Sequence, residues 1–191
     1  MARKKLETLT EQMFYVLFAL REERHGYGIM QAIAELTGGR VSVGAGTLYA
    51  LLERFEKDGL IRRTRTEDNR KYYVLMPEGG RTLQNEYERI KKQAAEAELN
   101  RRAAAGWQME KVWMGVLAVF VPAHVPVCYC IDWSDPGRDD GPSYRALLAD
   151  AGWRLRQRVT CQNIYEAPAG TTPIQTDSGL EYRRVRDRAL R

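Results

Sequence analysis

At 191 residues, with 44% hydrophobic and 29% charged side chains, the chain has the composition of a folded protein with room for one large domain or two small ones. Its net charge of +5 permits a polyanionic partner, and the excess is shared between the part up to residue 80 (+2) and the remainder (+3). Three cysteines, Cys128, Cys130 and Cys161, are too few for a disulfide scaffold. Two histidines, with no Gly-rich phosphate loop and no telling carboxylate pair, give catalysis nothing to stand on. The basic start Met1-Ala2-Arg3-Lys4-Lys5 is followed by no apolar signal core, so a cytoplasmic location is expected.

In chain order, Thr8 with Glu11 offers a capping box for a first helix running to about Arg21, with Phe14, Leu17 and Phe18 inward. His25 reads as a turn residue. A second helix follows Gly26 and ends at Gly38-Gly39, with Ile29, Ile33 and Leu36 on its buried face. The third begins near Gly46 and stops at Asp58-Gly59. Leu48, Leu52 and Phe55 make its buried stripe and leave Thr47, Ala50, Arg54 and Lys57 outside. Two strands, 60–65 and 71–76, flank the turn Glu67-Asp68-Asn69 and carry Arg62, Arg63, Arg65, Arg70 and Lys71. Two short helices, a Gly-bounded turn and a basic ribbon are the parts of a winged helix-turn-helix, which sets one helix in the DNA major groove and a ribbon on neighbouring phosphates. The DNA-facing set is then Tyr27, Ser42, Thr47, Tyr49, Arg54, Arg63, Arg65, Arg70 and Lys71.

From Pro77 a long helix is predicted, with Leu83, Tyr87, Ile90, Ala94 and Ala97 stepping by 4, 3, 4 and 3. That seam implies a dimer contact through Leu83, Tyr87 and Ile90, or docking within the chain. Residues 112–131 are almost all apolar, about the length of a membrane span, but Pro122, His124 and Pro126 interrupt them. Two buried strands joined by a Pro-bracketed turn explain the run better than stable membrane insertion. The alternation puts Cys128 and Cys130 on one strand face, and no metal-like spacing supports them. An echo follows: Ala103-Ala104-Ala105-Gly106-Trp107 recurs as Ala149-Asp150-Ala151-Gly152-Trp153, with Pro122 and Pro168 the same distance apart. Each half reads as helix, Gly-Trp corner and strands, so that Trp107 and Trp153 enter the core in equivalent places. Trp107, Trp113, Trp133 and Trp153 could also line a pocket for a flat apolar ligand. Residues 182–191 read as a basic helix or tail.

The runs His25-Gly26-Tyr27-Gly28-Ile29, Gly46-Thr47-Leu48-Tyr49, Glu56-Lys57-Asp58-Gly59-Leu60-Ile61, Arg70-Lys71-Tyr72-Tyr73 and Glu78-Gly79 closely resemble the PadR family of bacterial winged-helix regulators. The chain departs from the usual pattern at Ala50 and at Met76-Pro77. The resemblance implies a homodimer on a palindromic operator of double-stranded DNA, usually a repressor, released by an effector. The region from Glu96 is similar to an uncharacterised domain associated with such regulators, through its two Ala-Gly-Trp corners, Cys130-Ile131-Asp132-Trp133 and Tyr144. The expected architecture is α+β: a winged helix over residues 1–76, a connecting or dimerisation helix over 77–95, and a sensor or interaction domain over 96–191. No cofactor or metal is expected. The signal is a small-molecule effector or, alternatively, a partner protein docked by the C-terminal domain.

Overall fold

The computed structural model describes residues 8–113, 117–133, 142–159 and 162–174, which fall into two compact units, Met1–Glu88 and Arg89–Arg191. Cys161 and residues 182–191 lie outside the described residues. The first unit contains α1 (Glu11–Ala19), β1 (Arg24–His25), α2 (Gly26–Thr37), α3 (Ala45–Lys57), β2 (Ile61–Glu67), β3 (Arg70–Leu75) and the start of α4 (Pro77–Ala104). Its antiparallel sheet runs in the order β1-β3-β2. Val16, Leu17, Leu20, Ile29, Ile33, Leu48, Leu52 and Phe55 form a core closed to water.

The helix ends differ from the sequence reading in one place. Thr10, not Thr8, caps α1: its backbone is extended and its hydroxyl accepts from the Met13 amide at 3.3 Å. Leu9 is buried just ahead of it, and Glu11 pairs with Arg40 instead of closing a capping box. His25 caps α2, its Nδ1 accepting from the Gly28 amide at 3.2 Å, and Gly38 ends that helix in the left-handed region. Ile29 and Ile33 are buried as expected, whereas Leu36 is exposed because the inward stripe runs through Ala32 and the helix stops one residue after Leu36. The wing closes through Asp68 and Asn69, both with positive φ (47° and 59°), the signature of a two-residue I′ turn whose twist matches that of the strands.

Leu83 belongs to the core of this first unit. It is therefore spent on anchoring α4 and leaves Tyr87 and Ile90, both exposed, as the apolar residues of the expected seam that face outward there.

In the second unit α4 continues, followed by β4 (Trp107–Trp113), β5 (Leu117–Pro122), β6 (Val127–Trp133), α5 (Pro142–Asp150), β7 (Arg154–Val159) and β8 (Gln162–Pro168). The 46-residue echo is structural. Gly106 and Gly152 both end a helix at positive φ (84° and 88°), and each is followed by Trp and an antiparallel hairpin. The register also slips in both hairpins at equivalent places, between Met109 and Lys111 and between Leu155 and Gln157. Where the slipped strands meet, side chains stand in for a ladder: the Gln157 amide donates to the Val112 carbonyl at 2.7 Å and accepts from the Val112 N–H at 2.6 Å. Arg156 Nε donates to the Met109 carbonyl at 3.0 Å. Glu166 completes the joint, accepting from Gln108 and from the buried Tyr129 phenol at 2.7 and 2.8 Å.

The sheet β6-β8-β7 would leave β6 as a bare edge. Helix α4 covers it. The Asn100 amide accepts from Tyr129 N–H at 2.8 Å and donates to Tyr129 C=O at 2.9 Å, and Glu96 accepts from Ile131 N–H at 3.0 Å.

The apolar run at 112–131 is corrected in its pairing. Strand β5 pairs with β4 rather than forming a buried pair with β6, and Leu117 and Val119 are exposed because no layer of the described residues covers that ribbon face. No helix of the described residues is long and apolar enough to cross a membrane.

Candidate nucleic-acid interface

Helix α3 buries Leu48, Leu52 and Phe55, and the helical period therefore turns Thr47, Ala50, Arg54 and Lys57 outward. Gly44 caps it without a side-chain hydrogen bond, and a Cβ added at Gly44 or Gly46 would meet nothing within 4 Å among the described residues. Arg54 has an i,i+4 partner in Asp58 at 3.8 Å. Tyr27, Ser42 and Tyr49 are exposed as well. Tyr49 is held in place by what Gly26 lacks: a Cβ on that glycine would stand 2.8 Å from the tyrosine hydroxyl. The Gly at the head of α2 and the Tyr in α3 are one contact.

The wing divides its cations between two faces. The register slip at Thr64 pairs Arg63 with Tyr73 but Arg65 with Tyr72. Tyr73 is buried, and Tyr72 carries the His25 ring edge-on at 5.2 Å. Arg63 and Lys71 therefore share the face of Tyr73, and Arg65 and Arg70 the opposite one. Burial above all, with Glu56 next, raises the Tyr73 phenol above its ordinary range, while Arg63 lowers it, so the Tyr73 face adjoins α3. Arg65 is already engaged: it pairs with Glu23 and Glu67, both at 3.1 Å, and lies over the Tyr72 ring at 4.3 Å. Arg63, Arg70 and Lys71 form no ion pair among the described residues. Neither the slip at Thr64 nor the short strand β1 has a signal in the sequence; Thr64 sits in an ordinary strand pattern.

The three tryptophans whose side chains are described do not converge. Trp153 is buried in the core beside Cys130, Leu148 and Tyr165, Trp107 and Trp113 are exposed on the β4–β5 ribbon, and the Trp133 side chain lies outside the described residues. A pocket in the second unit takes only Trp107 from the set and adds Arg101, Arg102 and Phe120, whose signal was the Arg-Arg pair just ahead of the Gly-Trp corner. Cys128 and Cys130 share a face, as the alternation predicts, and pack on that same core. Burial pushes both thiols up, Cys130 to about 12, which leaves it protonated and unreactive near neutrality. No group of three His, Cys, Asp or Glu residues able to hold a metal occurs among the described residues, and His124 stands exposed in its turn.

Three helices, a capped turn between the second and third, and a three-stranded sheet ending in a basic ribbon define a winged helix-turn-helix. A model of the Transcriptional regulator PadR-like family matches residues 16–85. Among solved structures, the chain is similar to a PadR family transcriptional regulator from Eggerthella lenta DSM 2243, 28% identical with a TM-score of 0.41, over 46% of this chain and 78% of that one. It is also similar to a transcriptional regulator from Clostridium thermocellum, 24% identical with a TM-score of 0.40, over 48% and 90% of the two chains. A third is RosR of H. salinarum, 24% identical with a TM-score of 0.39, over 52% and 98%. No curated protein matches the chain.

Proposed function

We propose that this regulator is a homodimeric repressor that grips a palindromic operator, with the C-terminal unit controlling its release. The observation that carries the reading is the joint presentation, on neighbouring surfaces of the winged unit, of the exposed side of α3 and the unpaired cations Arg63 and Lys71. Thr47, Tyr49 and Arg54 would meet the groove, and the wing cations would meet phosphates. Binding of duplex DNA by a variant with Arg63→Ala and Lys71→Ala should show a slope of log affinity against log salt that is shallower by up to ~1.8, about 0.9 for each lost phosphate contact. Arg65→Ala with Arg70→Ala, on the opposite face, should flatten it less. An unchanged slope in the first pair would take that face off the interface.

Tyr87 and Ile90 on α4 would make the two-fold contact. Lysine at both positions should yield monomers in sedimentation without loss of fold, because neither side chain belongs to the core of the first unit. A variant that sediments as a dimer would move the contact elsewhere. The control of release has its own test: a chain ending at Glu88 that still answered the natural signal would refute it.

A further inference from the structure

The two halves of the C-terminal unit finish the same corner in different ways. In the second half Trp153 is 3% exposed, and its indole N–H donates to the Thr172 carbonyl at 2.9 Å. Thr171 lies 3.8 Å from where a Cβ on Gly152 would stand, and Ile174 packs on the same cluster. The chain that follows β8 thus roofs its own corner. In the first half, the chain that follows β5 bonds once to the corner, from the Ala123 amide to the Gly106 carbonyl at 2.8 Å, and passes on to β6. Among the described residues nothing comes within 4 Å of an added Cβ on Gly106, and the Trp107 indole, 45% exposed, makes no hydrogen bond.

What the first half leaves unroofed is a cleft of about 500 Å³ lined by Arg101, Arg102, Ala105, Trp107, Ala118 and Phe120. Its floor is aromatic and its rim cationic. The Arg102 guanidinium lies over the Phe120 ring at 4.6 Å. Glu98 accepts from Arg101 Nε and Nη2 at 2.8 and 2.9 Å and from Arg102 Nε at 2.7 Å, and these bonds, those from Arg101 first, hold its carboxyl down at about 2. One carboxylate therefore faces two guanidiniums, and a single positive charge is left over at the mouth.

We propose that this cleft binds a small organic anion with a flat apolar body, such as an aromatic carboxylate or sulfonate. The body takes the place that residues 171–174 fill in the other half, lying against Trp107 and Phe120, and the anionic group meets Arg101. The assignment rests on the reading of the C-terminal unit as the part that receives the signal, and it gives that signal a chemical class.

The test is a fluorescence titration of the full chain, without DNA, with 1-anilinonaphthalene-8-sulfonate as the probe. One saturable site per chain is expected, with N-phenyl-1-naphthylamine, which has the same rings and no sulfonate, bound about tenfold or more weakly, the scale of one charge-assisted hydrogen bond. Arg101→Gln removes the surplus charge and should weaken the sulfonate probe by a similar factor. Ala118→Trp fills the cleft from an exposed position of β5 and should abolish saturable binding, while Leu117→Lys, outside the cleft on the same strand, should leave it intact. Equal binding of the two probes, full binding by folded Ala118→Trp, or loss with Leu117→Lys would each overturn the proposal. Since no DNA is present, failure here is separate from failure of the regulator reading, which the salt slope of duplex binding reports.

Discussion

Replacing Trp153 by alanine should cost about 3–5 kcal/mol, the range for truncating a buried large aromatic, and this is enough to unfold a small domain. The ring is sealed among Cys130, Leu148, Tyr165 and Ala167, so its removal leaves a cavity that those side chains must collapse into. It also strands the Thr172 carbonyl, which accepts from its indole. Trp107→Ala, at the equivalent corner, should cost much less, because that ring is half in water already. Urea unfolding of both variants, followed by near-ultraviolet circular dichroism, checks the contrast. Equal losses would mean that the two corners are energetically alike despite their different roofs.

Gly79→Ala should be the most damaging single methyl in the winged unit. A Cβ there would collide with the Leu60 carbonyl oxygen and stand 2.8 Å from Leu75 Cδ1. That carbonyl already accepts the Met76 amide at 2.8 Å, so neither backbone is free to step aside. The first turn of α4 must withdraw, drawing Leu83 from the core it anchors. Overpacking of this kind costs about 1–3 kcal/mol and more where backbone is the obstacle. Gly80→Ala is the control. Its nearest neighbour, Leu75 Cδ2, lies at 3.9 Å, and alanine is favoured over glycine inside a helix by up to about 1 kcal/mol. Melting temperatures should move in opposite directions for the two variants; a Gly79→Ala protein as stable as its parent would show that α4 is not held against Leu60.

Much of this was legible in the chain. The helical stripe of Leu48, Leu52 and Phe55 is a local pattern, and so are the Asp68-Asn69 turn and the Gly-Trp corners, because each depends on residues close in sequence. What escaped the reading depends on partners far apart. Strand β1 exists because Arg24 and His25 find Tyr73 and Tyr72, nearly fifty residues on. The slip at Thr64, which sets Arg63 and Arg65 on opposite faces, is a property of a pair of strands and not of either one. Leu83 fits a heptad seam as well as a core, and only the packing of α4 on its own unit separates the two. The repeat told where the two tryptophans stand along the chain, but whether each is covered depends on the segment that follows its hairpin, and those segments part ways after Pro122 and Pro168.

The grip of α4 on β6 bears on how such a chain can be inherited in pieces. Glu96 and Asn100 sit on the helix that starts in the winged unit, yet their side chains finish an edge of the other unit's sheet. A recombination breakpoint between Glu96 and Ala104 would hand its recipient a sheet with raw edge amides, ready to recruit strands from any neighbour. For the C-terminal unit to travel between genes as a self-contained cassette, the cut must fall ahead of Glu96, inside what reads as one unbroken helix.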